Sequence, residues 1–432
     1  FDMDKPVVRI SVRNLVEFIL RSGDLDNRRG SADKEAMLKG SRLHRKIQSQ
    51  MGSHYRAEVS LKYTTEYDDV SIVVEGRADG IFTEDEQYFI DEIKGVYADV
   101  SQLEKPVEVH RAQAMCYAWI YAREQQLEKI GVQMTYGNLD TEELKYFREE
   151  FTLEELKDWY QELLDRYHKW ISYQLAWKKE RNESMEGLEF PFEYREGQRK
   201  IVSSVYHTIS AERQIFIQAP TGVGKTMSTI FPAVRAVGAG LGENIFYLTA
   251  KTITRTVAEE AFLILKEHGL KFKVITITAK EKLCFCDKTE CNPENCLWAR
   301  GHLDRINDAV YELWTTQDCY GRERILEYAK KWQVCPFELC LDLAIWVDAV
   351  ICDYNYVFDP NVYLKRFFGE GTSGGYIFLI DEAHNLVDRG REMYSAFVDR
   401  ADVLEAKKLA ADYSKGLVRA LGKVNRQLLA LE

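Results

Sequence analysis

The sequence predicts an α/β protein throughout, and three observations carry that prediction. Three short runs, Gln214-Ile215-Phe216-Ile217, Asn244–Leu248 and Tyr376–Ile380, are almost wholly apolar and rich in β-branched or aromatic residues. Such runs suit parallel strands covered by helices on both faces. The first of them leads into a glycine-bearing loop and then a helical pattern, the order strand, loop, helix. Nearer the N-terminus, two strand patterns flank a polar turn at Glu84-Asp85-Glu86-Gln87, with helical stretches on either side. The pattern changes divide the chain into a mixed block at 1–135 and a helical connector at 136–189. A parallel-sheet unit follows at 190–394, with an insertion at 280–345, and a helical segment closes the chain at 395–432.

A chain of 432 residues is expected to hold two or three domains, and 46% hydrophobic with 12% aromatic content is enough to build their cores. The net charge of -11 argues against a protein that simply coats nucleic acid. A local basic groove on an acidic body remains compatible with that charge. The apolar run Leu15 to Leu20 is interrupted by Glu17 and is far too short to span a membrane. With no signal peptide in view, the chain reads as cytoplasmic.

In the N-terminal block, centring the hairpin on the polar turn sets Phe82 opposite Phe89 and Asp79 opposite Glu92. Directly paired residues lie about 4.5–5.5 Å apart at Cβ, so the two carboxylates need a cation between them. Glu92 and Lys94 share one strand face. A metal with a lysine beside it suits phosphodiester hydrolysis, because the cation polarises the phosphate and generates hydroxide. His44, on a likely helix at Gly40–His44, is a further ligand candidate, and Gln113 and Tyr117 point the same way from a helix. Glu58 could add a carboxylate or simply face solvent. Together Asp79, Glu92-x-Lys94, the upstream His44 and the Gln113-x3-Tyr117 pair resemble the RecB-like branch of the PD-(D/E)XK nucleases over about residues 9–130. That resemblance implies a nuclease fold using Mg²⁺ or Mn²⁺. Some relatives pin this domain with iron–sulfur cysteines, whereas only Cys116 stands here.

In the connector, Trp159, Tyr160, Leu163, Tyr167 and Trp170 recur at helical spacing and are expected to pack on neighbours. In Ala219-Pro220-Thr221-Gly222-Val223-Gly224-Lys225-Thr226, Gly222 and Gly224 let the backbone turn its N–H groups toward an anion. Lys225 brings charge to the outer phosphates of ATP, and Thr226 can bind Mg²⁺. Ala219 stands where the strict pattern has Gly. Later, the strand Tyr376–Ile380 delivers Asp381 and Glu382 to its C-terminal end, where α/β sheets place ligands. Asp381 would hold Mg²⁺, Glu382 would activate water, and His384 would relay the nucleotide state.

The nine cysteines are uneven: Cys116 stands alone early, and the other eight fall between Cys284 and Cys352. Clustering in a reduced compartment points to a metal or cluster site. Cys284, Cys291, Cys296 and Cys335 are separated by six, four and thirty-eight residues, with no C-x2-C pair. That spacing suits a 4Fe–4S cluster better than zinc, with plain thiols as the remaining reading. Pro293 and Pro336 favour turns beside the ligands. Cys286 and Cys340 are alternative ligands, and Cys319 and Cys352 read as buried packing residues.

Glycine loop, cysteine insertion and Asp381-Glu382-Ala383-His384, in that order, resemble the XPD/DinG family of superfamily 2 iron–sulfur helicases over about residues 190–432. Residues 350–360, VICDYNYVFDP, resemble that family's segment after the cluster domain. The resemblance implies a RecA-like motor domain with an inserted cluster domain and 5′-to-3′ movement on single-stranded DNA. It also places an aromatic, Tyr194 or Phe192, and Gln198 against adenine. In Tyr247–Thr256, Thr249, Lys251, Thr252 and Arg255 would meet the nucleic-acid backbone. Motors of this family close ATP with arginines from a second RecA-like domain, expected here in cis or in trans, because the chain ends at Glu432 in a helical stretch like the start of the family's arch. The expected activity is an ATP-dependent DNA helicase joined to a deoxyribonuclease, acting on single-stranded or forked DNA. The alternative is a non-catalytic DNA-binding module, and an RNA-directed motor is a third reading.

Overall fold

The computed structural model describes residues 5–28, 34–220, 222–250, 252–369, 372 and 374–431. Of the residues singled out above, Thr221, Lys251 and Glu432 lie outside the described residues, as does the side chain of Thr252.

The first sheet is built from β1 (Val7–Ser11), β2 (Tyr55–Glu66), β3 (Ser71–Glu84), β4 (Gln87–Val96), β5 (Lys129–Asn138) and β6 (Leu144–Thr152). Its order is β1-β3-β4-β5-β6, with β2 on β3. β2 lines one edge of β3 along most of its length. The other edge is shared: Ser71–Glu75 pair in parallel with β1, and Gly80–Glu84 pair with β4 in the expected register, Phe82 opposite Phe89. Between those two stretches lies Asp79. Helices α1 (Val12–Ile19), α2 (Lys34–Gln50) and α3 (Glu108–Glu124) accompany this sheet. The sheet runs on to Thr152. The edge expected at residue 135 therefore falls inside β5, because β6 alternates half-buried and exposed residues as a strand and is not helical.

Helix α4 spans Leu153–Met185 and is opened by a capping box between Thr152 and Glu155. Its aromatic stripe packs as expected: Tyr160, Leu163, Tyr167 and Trp170 are buried. Trp170 sits among rings from distant parts of the chain, with centroids at 5.0 Å from Phe18, 5.0 Å from Tyr311, 5.8 Å from Trp314 and 4.8 Å from Trp346. One core thus joins the first sheet to the insertion. Further along α4, Trp177 Nε1 donates to Asp348 at 2.9 Å and Arg181 pairs with the same carboxylate at 2.7 Å. Truncating Trp170 to alanine is expected to cost about 4 kcal/mol of stability. Urea unfolding followed by far-ultraviolet circular dichroism would show this as a lower midpoint, and an unchanged midpoint would contradict the shared core.

The second half contributes α5 (Gln198–Ser210), α6 (Lys225–Gly238), β7 (Asn244–Leu248), α7 (Thr252–Glu267) and β8 (Val274–Thr276). The insertion follows with α8 (Lys280–Leu283), α9 (His302–Thr316), β9 (Cys319–Tyr320), α10 (Arg322–Trp332) and α11 (Pro336–Ala344). After it come β10 (Ala349–Cys352), α12 (Asn355–Phe358), α13 (Lys365–Phe368), β11 (Tyr376–Ile380), α14 (Leu386–Met393), α15 (Arg400–Leu409) and α16 (Lys415–Leu431). The sheet order is β11-β7-β10-β8-β9, every pair parallel. Two of the three expected strands are therefore present as β7 and β11. The third expectation is corrected: Gln214–Ile217 forms neither strand nor helix and pairs with no strand among the described residues, and Phe216 is 90% exposed. The sheet ends at β11, whose Phe378 and Ile380 are themselves partly exposed. The outer edge of β11 is left unpaired among the described residues, and the apolar run does not dock on it.

Candidate functional site

Two sites take shape, one in each half of the chain, with a cysteine pocket in the insertion.

At the first sheet, Asp79 and Glu92 face each other where the β3–β4 ladder breaks. Backbone pairing stops at Gly80 with Asp91. One step further, the Ile93 N–H donates to Asp79 Oδ2 at 2.7 Å, so the side chain replaces the missing ladder bond. His44 Nδ1 lies 3.5 Å from Asp79 Oδ1. Lys94 Nζ pairs with Glu92 Oε1 at 2.7 Å and donates to Gln113 Oε1 at 3.2 Å. Gln113 in turn bonds the hydroxyl of Tyr117, whose ring lies against Gly76, where a Cβ would sit 2.7 Å from the Tyr117 hydroxyl oxygen. The expected residues His44, Asp79, Glu92, Lys94, Gln113 and Tyr117 thus form one linked set. Glu58 stands apart from it, in an exposed strand position paired with Arg77 at 3.3 Å and bonded by Gln48.

Glu92 is fully buried, and its Oε2 has no hydrogen-bond partner. Burial pushes its carboxyl up to about 8, against the pull of Lys94 and with Asp79 adding to the rise. A buried carboxylate oxygen aimed at nothing, beside a second carboxylate, is the electrostatic setting that a divalent cation relieves. As the side chains stand, no group of three or more His, Cys, Asp or Glu residues able to hold a metal ion is formed among the described residues. The fit is that of a carboxylate pair, with His44 joined through Asp79.

His110 borders this site. Tyr136 Oη accepts from the Val107 N–H at 2.9 Å and shares a hydrogen bond of 2.9 Å with His110 Nδ1. Burial, then Lys94 and Arg13, lower the His110 pKa to about 4. A lowered folded-state value means the neutral ring stabilises the fold above about pH 6.5, and that contribution is lost as pH falls toward 4. Its ceiling is roughly 3 kcal/mol. His110→Gln, which keeps an acceptor but does not titrate, should flatten the acid limb of the stability–pH curve. Parallel curves for the two proteins would refute this assignment.

In the second half, Gly224 caps α6 at φ 75° and Gly222 stands at φ 88°, conformations that favour glycine. Gly224 also admits Gln198, whose Nε2 would lie 2.8 Å from any Cβ there, while Gln198 Oε1 accepts from the Arg195 N–H at 3.0 Å. Arg195 holds the Gly222 carbonyl. Tyr194 stacks on Phe190 at 4.5 Å and remains partly exposed. Across from the loop, the Asp381 N–H bonds the Leu248 carbonyl at 2.9 Å, seating the acidic pair at the C-terminal ends of β7 and β11. Lys225 Nζ reaches Glu382 Oε1 at 3.4 Å. Glu382 adopts a left-handed backbone at φ 49°, a costly conformation that clusters at functional sites. Burial and Glu382 raise the Asp381 pKa, and Lys225 opposes them. His384 Nδ1 lies 3.4 Å from Glu382 Oε2 and is largely exposed.

Two hydroxyls hold this arrangement that the sequence did not disclose. Tyr247 bonds both Thr226 and Asp381, bridging loop and acidic pair. Tyr354 donates to the carbonyls of Asp381 and Glu382. Nothing in an apolar strand or a short connecting segment signals where one tyrosine oxygen will land. Of the residues expected to meet a nucleic-acid backbone, Thr249 is buried and bonded to Thr254, and Arg255 is mostly buried and pairs with Asp353 at 3.8 Å. Both serve internal contacts here, because the turn after β7 folds them inward.

Cys284, Cys291, Cys296 and Cys335 line a single pocket with Leu25, Lys280, Phe285, Trp298 and Phe337 among its walls. Cys286 Sγ lies 3.8 Å from Cys296 Sγ at its margin. Cys340 points away, toward the Thr276 carbonyl at 3.9 Å, and Cys352 is fully buried. Cys319 receives a hydrogen bond from Lys266 Nζ at 3.2 Å. The four cysteines share this pocket, although no three of them stand as a metal-holding group among the described residues.

The glycine loop and Lys225 thus face the acidic pair at the C-terminal end of a parallel sheet, where α/β proteins place ligands. The DEAD_2 family model matches residues 249–403, from the end of β7 through the cysteine insertion and the acidic pair. A Fanconi anemia group J protein homolog from Gallus gallus is 29% identical over 116 residues, covering 27% of this chain and 9% of that protein. A probable ATP-dependent helicase from Methanocaldococcus jannaschii is 23% identical over 235 residues, covering 53% of this chain and 34% of that protein. A solved structure named XPD helicase is 19% identical, covering 54% of this chain and 40% of that one, with a TM-score of 0.36. The chain spans about a third or less of the length of these two curated relatives. No helix among the described residues is long and apolar enough to cross a membrane.

Proposed function

We propose that this chain carries one half of an ATP-dependent DNA helicase motor of the XPD/DinG type, joined to a metal-dependent deoxyribonuclease unit. The observation that carries the reading is the meeting of Gly222, Gly224, Lys225 and Thr226 with Asp381 and Glu382 across one sheet end, bridged by Tyr247. In this reading the loop amides and Lys225 bind the triphosphate. Thr226 and Asp381 would hold Mg²⁺, which would screen the phosphate charge, Glu382 would orient and deprotonate water, and Gln198 with Tyr194 would meet the base. His384, exposed beside Glu382, relays the nucleotide state. The DEAD_2 match and the helicase relatives support the assignment.

The nuclease reading rests on the orphaned Glu92 Oε2 beside Asp79, with Lys94 poised against the same carboxylate. Asp79, Glu92 and His44 would hold Mg²⁺ or Mn²⁺, which polarises the phosphate when bound. Lys94, held by Gln113 and Tyr117, orients the attacking water. The substrate class is single-stranded or forked DNA. The test is incubation with labelled single-stranded DNA and Mn²⁺, in parallel with Mg²⁺–nucleotide binding by calorimetry. Absence of both cleavage and nucleotide binding would leave only a DNA-docking module.

Cys284, Cys291, Cys296 and Cys335 would hold a 4Fe–4S cluster, supported by their shared pocket. Protein purified without oxygen should then be yellow-brown and contain iron, and Cys335→Ser should lose most of it. Colourless protein with stoichiometric zinc would overturn the assignment.

A further inference from the structure

The segment after α1, Leu20 to Arg28, leaves the first sheet and runs along the cysteine insertion. Its backbone meets the insertion at alternate residues. Leu303 N–H donates to the Gly23 carbonyl at 2.9 Å, Leu25 N–H to the Ala299 carbonyl at 2.9 Å, and Asn27 N–H to the Cys291 carbonyl at 2.9 Å. Side chains fasten the same seam. Asp304 accepts from the Gly23 N–H at 2.8 Å, Asp24 from the Gly301 N–H at 2.6 Å, and Arg28 pairs with Glu294 at 2.7 Å. Upstream, Arg21 bonds Asn307 at 2.7 Å and Asp342 at 2.8 Å. The Leu25 side chain is itself a wall of the four-cysteine pocket.

Between Cys284 and Gly301 the insertion has neither helix nor strand. Short internal turns, such as the Cys296 N–H on the Asn292 carbonyl at 2.9 Å, shape it locally, and outside anchors or a bound group must hold it in place. Three of the four cysteines, Cys284, Cys291 and Cys296, lie in that stretch. The N-terminal strap supplies the anchors and a lid.

We propose that the Leu20–Arg28 strap closes the cysteine pocket, so that docking of the N-terminal unit and retention of the group in the pocket are linked. This rests on the cluster reading above. Linkage is reciprocal: loosening the strap exposes the cluster, and removing the cluster loosens the strap. The two units of the chain are thereby coupled through iron rather than only through packing.

The test uses the full chain, purified without oxygen, with Leu25→Ser and Asn27→Pro as variants. Asn27→Pro deletes the N–H that holds the Cys291 carbonyl. Transfer of iron to a chromogenic chelator should be at least about fivefold faster in each variant than in the unaltered chain. In the unaltered chain, stripping the iron should speed tryptic cleavage after Arg21 and Arg28 by about tenfold, with the far-ultraviolet spectrum largely retained. The second measurement needs no variant, so it stands if the substitutions prevent folding. Iron release at the same rate in all three proteins, or strap cleavage indifferent to iron, overturns the linkage while leaving the cluster in place. An unaltered chain that binds no iron overturns the cluster reading and the linkage together.

Discussion

Lys225→Ala should lower the affinity for Mg²⁺–ATP by roughly 10- to 100-fold, because a hydrogen bond to a charged partner contributes about 1.5–3 kcal/mol. Lys225 is the ammonium at the mouth of the glycine loop, and its present partner, Glu382 at 3.4 Å, is a placeholder of the same sign as a phosphate. Both side chains are partly solvent-exposed, so the ion pair itself adds little to stability. The variant should therefore unfold at nearly the same temperature while binding nucleotide poorly. Displacement of a fluorescent nucleotide provides the measurement. Equal affinity in both proteins would mean that the loop does not serve a phosphate. Lys225→Arg should recover only part of the loss, since the longer, planar group cannot occupy the same point.

Glu92→Gln should reduce Mn²⁺-dependent cleavage of single-stranded DNA by on the order of 100-fold or more, the loss expected when a metal-binding carboxylate becomes neutral. Burial already raises the Glu92 carboxyl to about 8, so the neutral amide changes little in the metal-free fold, and the variant should unfold at nearly the same temperature as the parent. Lost cleavage with retained stability separates chemistry from folding. Lys94→Met should also abolish cleavage, but it leaves Glu92 buried without its 2.7 Å partner and should cost stability. Cleavage that survives Glu92→Gln would remove the nuclease reading altogether.

Much of the first site was legible because a hairpin is a local object. The polar turn fixed the register, Phe82 fell opposite Phe89, and the carboxylates followed by counting. The parallel strands β7 and β11 were equally readable from composition. Gln214–Ile217 shows the limit of that reasoning. Its residues are as apolar as those of β7, yet a strand exists only when the segment docks on a neighbouring ladder, and no composition reports on that docking. The four cysteines could be chosen by spacing, but spacing gave no hint that Leu25, from the other end of the chain, lines the same pocket. The hydroxyls of Tyr247 and Tyr354 were invisible for a similar reason. They act through single atoms placed by tertiary packing.

Helix α4 is one unbroken rod of 33 residues, about 50 Å long. Tyr160 at one end sits in the core of the first sheet, and Trp177 and Arg181 near the other are tied to Asp348 at the foot of the second. If both proposed sites act on one strand, such a strut would hold them at a fixed separation, and released fragments would bunch around a single length, as if cut against a ruler.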